Sequence, residues 1–178
     1  MFFCRNNNIQ TKKPISDVII RGNKKVKAEY INPIFNATQS ILEDMLEVDM
    51  ERGDLEAKSN HFTAEKINAS IGVTGDLEGF VYFSMTEDTA LAIVEKMSGM
   101  EIEEFNDLAS SAVGELANII TGNSITNLNE QGFQCNITPP SITVGDNLQI
   151  STGPGQFLSI PLHTEIGDFI INVSLKKS

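Results

Sequence analysis

Cysteine and histidine are scarce in this sequence, which has two of each among 178 residues. Cys4 and Cys135 are too few for a disulfide framework, so we expect a cytoplasmic protein in a reducing compartment. A Ser or Cys nucleophile needs a histidine base, and a His-based zinc site needs two or three ligands close together. No residue near His61 or His163 completes either set, which indicates that both histidines and Cys135 are structural.

Long apolar runs are missing as well, and with them the usual signs of membrane insertion or export. No run approaches the roughly 20 residues that span a bilayer, and residues 1–8 lack the pattern of a signal peptide. The glycine-rich segment 152–156 lacks the Lys-Ser/Thr of a phosphate-binding loop, so we predict a turn there. The acidic clusters at 43–51 and 101–104 lack the spacing of a calcium loop and are interpreted as solvated helix ends.

Positive charge is rare beyond residue 27. Residues 1–27 contain seven Lys and Arg against one Asp, a net charge of +6, whereas residues 28–178 carry −17. An acidic domain repels phosphates, so no nucleic-acid partner is expected. The length fits one domain, which we place at residues 28–178. Residues 1–27 are interpreted as a disordered basic extension, with a basic arm that binds an acidic partner as the alternative.

Hydrophobic periodicity predicts helices and strands that segregate in runs. Helices are predicted at 30–48 (N-cap Asn32, Pro33 in the first turn), at 87–98 (capped by Thr86) and from Asn106 to about Gln131. Strands are predicted at 53–63, 66–73, 77–84, 133–144 (broken by Pro139-Pro140), 156–163 and 168–175, with a further short segment at 148–151. The class is α+β: a six-stranded antiparallel sheet layered with three main helices, in a weak internal two-fold repeat.

The third helix carries the most informative pattern. Its apolar sector spans about 140° and consists of Leu108, Ala112, Val113, Leu116, Ile119 and Ile120. The opposite side has no Lys or Arg and consists of Ser110, Ser111, Gly114, Glu115, Asn118, Thr121 and Gly122. Glu115 and Asn118 are three residues apart, so they lie side by side. Such a small-residue surface favours close approach of another protein, although two polar residues on a solvated face would give the same pattern.

The segment Val113-Gly-Glu-Leu-Ala-Asn-Ile-Ile-Thr-Gly-Asn123 resembles the signature helix of the CheC/CheX-type chemotaxis phosphatases. The single Glu-x-x-Asn motif resembles CheX more than CheC, which typically has two copies, and the first helix lacks the Asn at Glu43–Leu46. The resemblance extends from about residue 28 to the end of the chain.

The resemblance implies a phosphatase that removes the aspartyl phosphate of a CheY-like response regulator. By this resemblance Glu115 and Asn118 are catalytic, Ser111, Gly114 and Gly122 contact the receiver domain, and the receiver supplies Mg²⁺, with no cofactor of the chain's own. It also implies a homodimer that pairs sheet edges, with 53–63 and the segment around Pro139-Pro140 as candidate edges. A non-catalytic receiver-binding or scaffold module is the alternative. A flagellar-switch subunit is a third reading, but such proteins usually carry extra domains.

Overall fold

The computed structural model describes residue 15, residues 18–19 and residues 25–178. The predicted disorder of residues 1–27 therefore falls largely outside the described residues and stays a prediction. Ile15 is buried against the domain, and its backbone forms two hydrogen bonds with the side chain of Asn32. The Ile15 N–H donates to Asn32 Oδ1 at 2.7 Å, and Asn32 Nδ2 donates to the Ile15 carbonyl at 2.9 Å.

Three helices and ten strands are present in the described part of the chain. The helices are α1 (Ala28–Leu46), α2 (Glu87–Ser98) and α3 (Asp107–Glu130). The strands are β1 (Val18–Ile19), β2 (Lys25–Val26), β3 (Met50–Arg52), β4 (Glu56–Thr63), β5 (Ile67–Gly75), β6 (Leu77–Met85), β7 (Cys135–Ile137), β8 (Ser141–Val144), β9 (Gln149–Thr164) and β10 (Gly167–Lys177). None of the helices in the described ranges has the length and hydropathy to cross a membrane.

The main sheet has eight antiparallel strands in the order β3-β9-β10-β6-β5-β7, with β4 also pairing with β9 and β8 with β5. The α+β class and the antiparallel sheet are confirmed, but six strands was too few. Pro139-Pro140 divides the predicted strand at 133–144 into β7 and β8, because a proline cannot donate to the ladder. The three-residue strand β3 was not predicted.

The turn predicted at residues 152–156 is wrong, because these residues continue the strand β9. The pairing of β9 with β4 shifts its register between Ser59 and His61, and Asn60 adopts a positive φ of 72°. A β-bulge of this kind accommodates extra residues without ending a strand. The glycines and the proline of residues 152–156 therefore lie at an irregularity in the pairing of β9 with β4.

The N-cap predicted at Asn32 is also wrong. α1 begins one turn earlier, at Ala28, and its N-cap residue Lys27 makes no side-chain cap hydrogen bond. The buried residues Tyr30 and Ile31 extend the helix because they bury apolar surface in the core. Asn32 is thus inside the helix, where its amide is free to bind Ile15.

All three helices contribute to one large core on a single face of the sheet. Alternate strand residues face that core, for example Ile67, Ala69 and Ile71 in β5. On the opposite face, a smaller cluster consists of Phe62, Ala64, Tyr82 and Phe157. α3 packs against α1, α2 and β5, which fixes the orientation of the helix that carries Glu115 and Asn118.

Candidate functional site

Both ends of α3 are fixed by local capping. The Asn106 side chain accepts a hydrogen bond from the Ala109 N–H at 3.1 Å, which confirms the predicted N-cap. The helix ends at Glu130, and Gly132 follows with φ 98°, a conformation that glycine adopts readily. The signature helix therefore has a defined start and end.

The buried side of α3 is wider than the predicted apolar sector and is rotated relative to it. Its buried residues are Ala109, Val113, Gly114, Leu116, Ala117, Ile120, Thr121, Ser124, Ile125 and Leu128. Thr121 and Ser124 are buried although polar, because their hydroxyls donate to the carbonyls of Ala117 and Ile120 at 2.8 and 2.7 Å. Leu108, assigned to the apolar sector, is instead 52% exposed.

Gly114 does not lie on the exposed side of α3, so its predicted contact with a receiver is not supported by its position. It is buried, and a Cβ atom placed on it would lie 3.5 Å from Pro140 Cγ and 3.7 Å from Ile142 Cδ1. Gly114 therefore lies against the β7–β8 segment of the same chain, at a distance that would be an ordinary contact even for an alanine side chain. The helix pattern could not reveal this, because the contacting residues follow 26 and 28 positions later in the sequence.

The other four predicted site residues share the accessible side of α3. Glu115 and Ser111 are exposed, while Asn118 and Gly122 are half-buried. Within the described part of the chain, no hydrogen bond or ion pair engages the side chain of Glu115 or Asn118. A Cβ atom at Gly122 would meet nothing within 4 Å, so the surface beside Asn118 is open. The carboxylate and the amide are thus available to a partner.

The sequence around this side of α3 lacks basic residues. Residues 97–175 contain no Lys or Arg. A groove of about 500 Å³ runs between α1 and α3, and it is lined by Asn36, Ala37, Ser40, Ile41, Asp44, Asn123, Thr126 and Asn127. Since no cation of the same helix can neutralise Glu115, a cationic group of a partner would interact with it favourably.

Other candidate chemistry lies elsewhere in the fold. His61 and His163 are exposed on β4 and β9, and His163 Nδ1 lies 3.1 Å from Asp168 Oδ2. Cys135 is buried in the core, as predicted. Among the described residues, no group of three or more His, Cys, Asp and Glu side chains is arranged to hold a metal ion.

The sequence did not predict one exposed apolar part of the surface. Leu108 and Met100 are exposed at the N-terminal end of α3, beside the acidic loop at 101–104. The helical wheel placed Leu108 on the core side, since a wheel cannot locate the neighbouring helices. The available signal was the clustering of acidic residues around two large apolar ones.

Comparison with known proteins identifies relatives over most of the chain. Residues 67–163 match the model of the family described as chemotaxis phosphatase CheX. The CheY-P phosphatase CheX of Thermotoga maritima is 30% identical over 151 residues, which cover 84% of this chain and 97% of that protein. This chain is also similar to the crystal structure of the chemotaxis protein CheX from Desulfovibrio desulfuricans, with 29% identity, a TM-score of 0.76, and coverage of 83% of this chain and 99% of that one.

A third relative was crystallised with a partner. It is CheX in the CheX–CheY–BeF3–Mg²⁺ complex from Borrelia burgdorferi, with 30% identity, a TM-score of 0.73, and coverage of 83% of this chain and 98% of that one. The family match includes the helix that carries Glu115 and Asn118, and both crystal structures share the fold of this chain. This chain therefore belongs to the chemotaxis phosphatase CheX family.

Proposed function

We propose that this protein hydrolyses the aspartyl phosphate of a CheY-like receiver domain, with Glu115 and Asn118 as its functional groups. The observation that carries the proposal is the pair itself: a carboxylate and an amide lie three residues apart on an accessible helix face, and neither has a partner within the described residues. The relatives support the choice of substrate, because one is named a CheY-P phosphatase and another was crystallised with CheY.

The chemistry requires little from the phosphatase beyond the position of one water molecule. Water attacks phosphorus in line with the leaving carboxylate oxygen, the P–O bond to the aspartyl group breaks, and aspartate and inorganic phosphate are released. Fixing a nucleophile at the correct angle can remove several kcal/mol of barrier. A helix with defined ends and a packed inner face is a suitable support for such a positioning group.

In this proposal Asn118 orients the attacking water. Its carbonyl oxygen accepts a hydrogen bond from the water, while its NH₂ group can donate to a phosphoryl oxygen. A carboxylate in the same place would repel the phosphoryl group. Asn118 is half-buried between its neighbours, which limits its rotamers, yet it remains accessible to a substrate protein.

Glu115 in turn determines how the receiver docks. As an exposed carboxylate on a helix without Lys or Arg, it can form a charge-assisted hydrogen bond with a lysine of the receiver. Ser111 and Gly122 lie on the same side and let the receiver approach closely. Gly114 is left out of this contact surface, because it is buried under Pro140.

The proposal assigns the metal ion to the partner. The relative crystallised in a complex with CheY, BeF3 and Mg²⁺ supports a metal ion held by the receiver, where it would neutralise charge on the phosphoryl oxygens. A substrate that takes part in chemotaxis signalling also implies a cytoplasmic location for this protein.

We further propose a homodimer that pairs edge strands. β4 lies at one edge of the sheet and β7 and β8 at the other, which agrees with the two candidate edges predicted from sequence. Of these, β4 is the longest, with eight residues, and an unpaired edge is a template for another strand. Sedimentation equilibrium should give about twice the mass of one 178-residue chain, whereas the mass of a single chain would contradict the dimer.

Turnover distinguishes a phosphatase from a module that only binds. The experiment follows the loss of ³²P from a labelled CheY-type receiver in the presence of a substoichiometric amount of this protein. A phosphatase dephosphorylates many receivers per molecule and accelerates the loss for the whole population. If the protein binds the phosphorylated receiver but the loss keeps its spontaneous rate, the protein is a non-catalytic scaffold module.

A further inference from the structure

Two large apolar side chains are left in solvent at the N-terminal end of α3. Met100 is 53% exposed and Leu108 is 52% exposed. Both line a concave surface of about 600 Å³, together with Glu101, Ile102, Glu103, Glu104 and Asn106. Isolated exposed apolar residues need no explanation, but two that line one acidic concavity indicate an interaction surface.

The segment between them is held in place. Ile102 and Phe105 pack against the main core, and the Phe105 N–H donates to Glu87 Oε1 at 3.4 Å. Glu87 is itself paired with Lys66, and Asn106 caps α3. Met100 and Leu108 are therefore presented by a segment that is anchored on both sides. Such preorganisation reduces the entropic cost of binding a partner.

This surface is continuous with the proposed docking face. Leu108 precedes Glu115 by seven residues, so the two lie about 20° apart around the helix and about 10.5 Å apart along it. Ser111, also exposed, lies between them. A receiver that places a lysine on Glu115 would thus extend over Leu108 within two helical turns.

The charge of the surface defines what it can bind. Glu101, Glu103 and Glu104 line the same concave surface as the apolar pair, Asp107 is exposed next to Leu108 in the sequence, and no Lys or Arg occurs between residues 97 and 175. The complementary surface carries Lys or Arg beside an apolar side chain. The aliphatic part of a Lys or Arg side chain can cover Leu108 while its charged end reaches a carboxylate.

We propose that residues 100–108, with Leu108 at the centre, form a second docking site for the receiver domain, which binds a basic and apolar segment of that domain away from its phosphoryl group. This inference rests on the proposed function, because it takes the receiver as the partner of α3. The second site contributes affinity and selects among receivers. It takes no part in positioning the water.

The test compares Leu108→Ala with Phe80→Ala as the matched control. Phe80 is a comparably exposed apolar residue, 47% exposed, on the sheet face opposite the helices. Leu108→Ala should raise KM for the phosphorylated receiver about tenfold and leave kcat within about twofold, since only binding area is lost. Phe80→Ala should change neither constant.

Direct binding separates this inference from the proposed activity. Kd is measured by titration with a CheY-type receiver activated with beryllofluoride and Mg²⁺, so that no hydrolysis is needed. Kd for Leu108→Ala should likewise be about tenfold higher than Kd for wild type. Replacing Glu103 and Glu104 by Gln should weaken binding at low salt and have much less effect at high salt.

Two results would overturn the inference. If Leu108→Ala leaves both KM and Kd unchanged, the surface is not part of the docking site. If Leu108→Asp instead dissociates a dimer in sedimentation without changing Kd, the occupant is a second copy of this chain. A wild-type protein that binds the receiver and does not hydrolyse it refutes the catalytic proposal alone, while one that neither binds nor hydrolyses it refutes both.

Discussion

At the scale of single residues, the proposed chemistry depends on Asn118 being a neutral amide. Asn118→Asp keeps the shape of the side chain but replaces the NH₂ donor by a negatively charged oxygen. We expect this change to lower kcat by about 100-fold, because the group that positions the water now repels the phosphoryl oxygens. Steady-state release of phosphate from a labelled receiver measures the effect.

Asn123→Asp provides the matched control for added charge. Asn123 is exposed on the same helix, where its Nδ2 donates to the Ile119 carbonyl at 3.0 Å. It gains the same charge without losing the proposed catalytic amide, so kcat should stay within about twofold of wild type. Equal losses in the two variants would mean that the charge of α3 matters and the amide of Asn118 does not.

Replacing Gly114 or Gly122 of α3 by alanine is expected to have the same effect on stability but different effects on receiver binding. Replacing Gly by Ala inside a helix stabilises it by about 1 kcal/mol, and a Cβ has ordinary contact distances at Gly114 and open space at Gly122. Both Gly114→Ala and Gly122→Ala should therefore raise Tm by about 2–4 °C.

Only Gly122→Ala should weaken binding of the receiver, because Gly122 lies on the accessible side and Gly114 is buried. Thermal unfolding and titration with the activated receiver check the two halves of this prediction. A loss of affinity in Gly114→Ala, with Gly122→Ala unaffected, would restore the sequence-based role of Gly114 and reject the contact surface described above.

At the scale of elements, one ion pair connects the start of β5, α2 and the loop before α3. The pKa of the Glu87 carboxyl is lowered, chiefly by its hydrogen bond with the Lys66 ammonium and also by the Phe105 N–H, and the pKa of Lys66 is raised by the same pairing. A carboxyl with a lowered folded-state pKa contributes stability above its unfolded pKa and loses it as pH falls through the folded value.

Glu87→Gln should therefore reduce stability near neutral pH, and this reduction should shrink as pH falls below 4.5, the ordinary pKa of the carboxyl, and through its lowered folded-state pKa. Urea denaturation of wild type and variant at about pH 7 and about pH 3.5 gives the two differences in unfolding free energy. Glu78→Gln is a suitable control. Glu78 pairs with the exposed Lys176 and lies at the start of β6, whereas Glu87 follows the end of that strand. A destabilisation of the same size at both pH values would show that the pair does not act through charge.

Elements with local signals were predicted correctly, and those that depend on distant contacts were not. Thr86 and Asn106 cap α2 and α3 as their sequence positions indicate, because a capping side chain bonds within its own turn. Asn32 also has the residue type of a cap, but burial of Tyr30 and Ile31 extends α1 past it. Leu108 is exposed because α1 and α2 determine which side of α3 is covered, and no property of α3 alone contains that information.

At the scale of the whole molecule, the order of helices and strands was sufficient to predict an α+β protein with an antiparallel sheet. The spatial order of the strands was not predictable, because β9 joins β3 and β4 from distant parts of the chain. For the candidate site, the spacing of Glu115 and Asn118 and the resemblance to a known helix predicted the pair, and both residues lie on the accessible side of α3, while their catalytic role stays a prediction. The sequence could not reveal that Gly114 faces Pro140 or that Met100 and Leu108 share one surface.

Whether Asn118 positions the attacking water is tested by measuring binding and hydrolysis separately in Asn118→Ala. Loss of ³²P from a CheY-type receiver is followed in single turnover with saturating protein, and Kd is measured with the beryllofluoride-activated receiver. We predict that wild type accelerates the loss, while Asn118→Ala binds with a Kd within about threefold of wild type and leaves the loss at its spontaneous rate. If Asn118→Ala hydrolyses the phosphate as fast as wild type, Asn118 does not position the water and the account is contradicted.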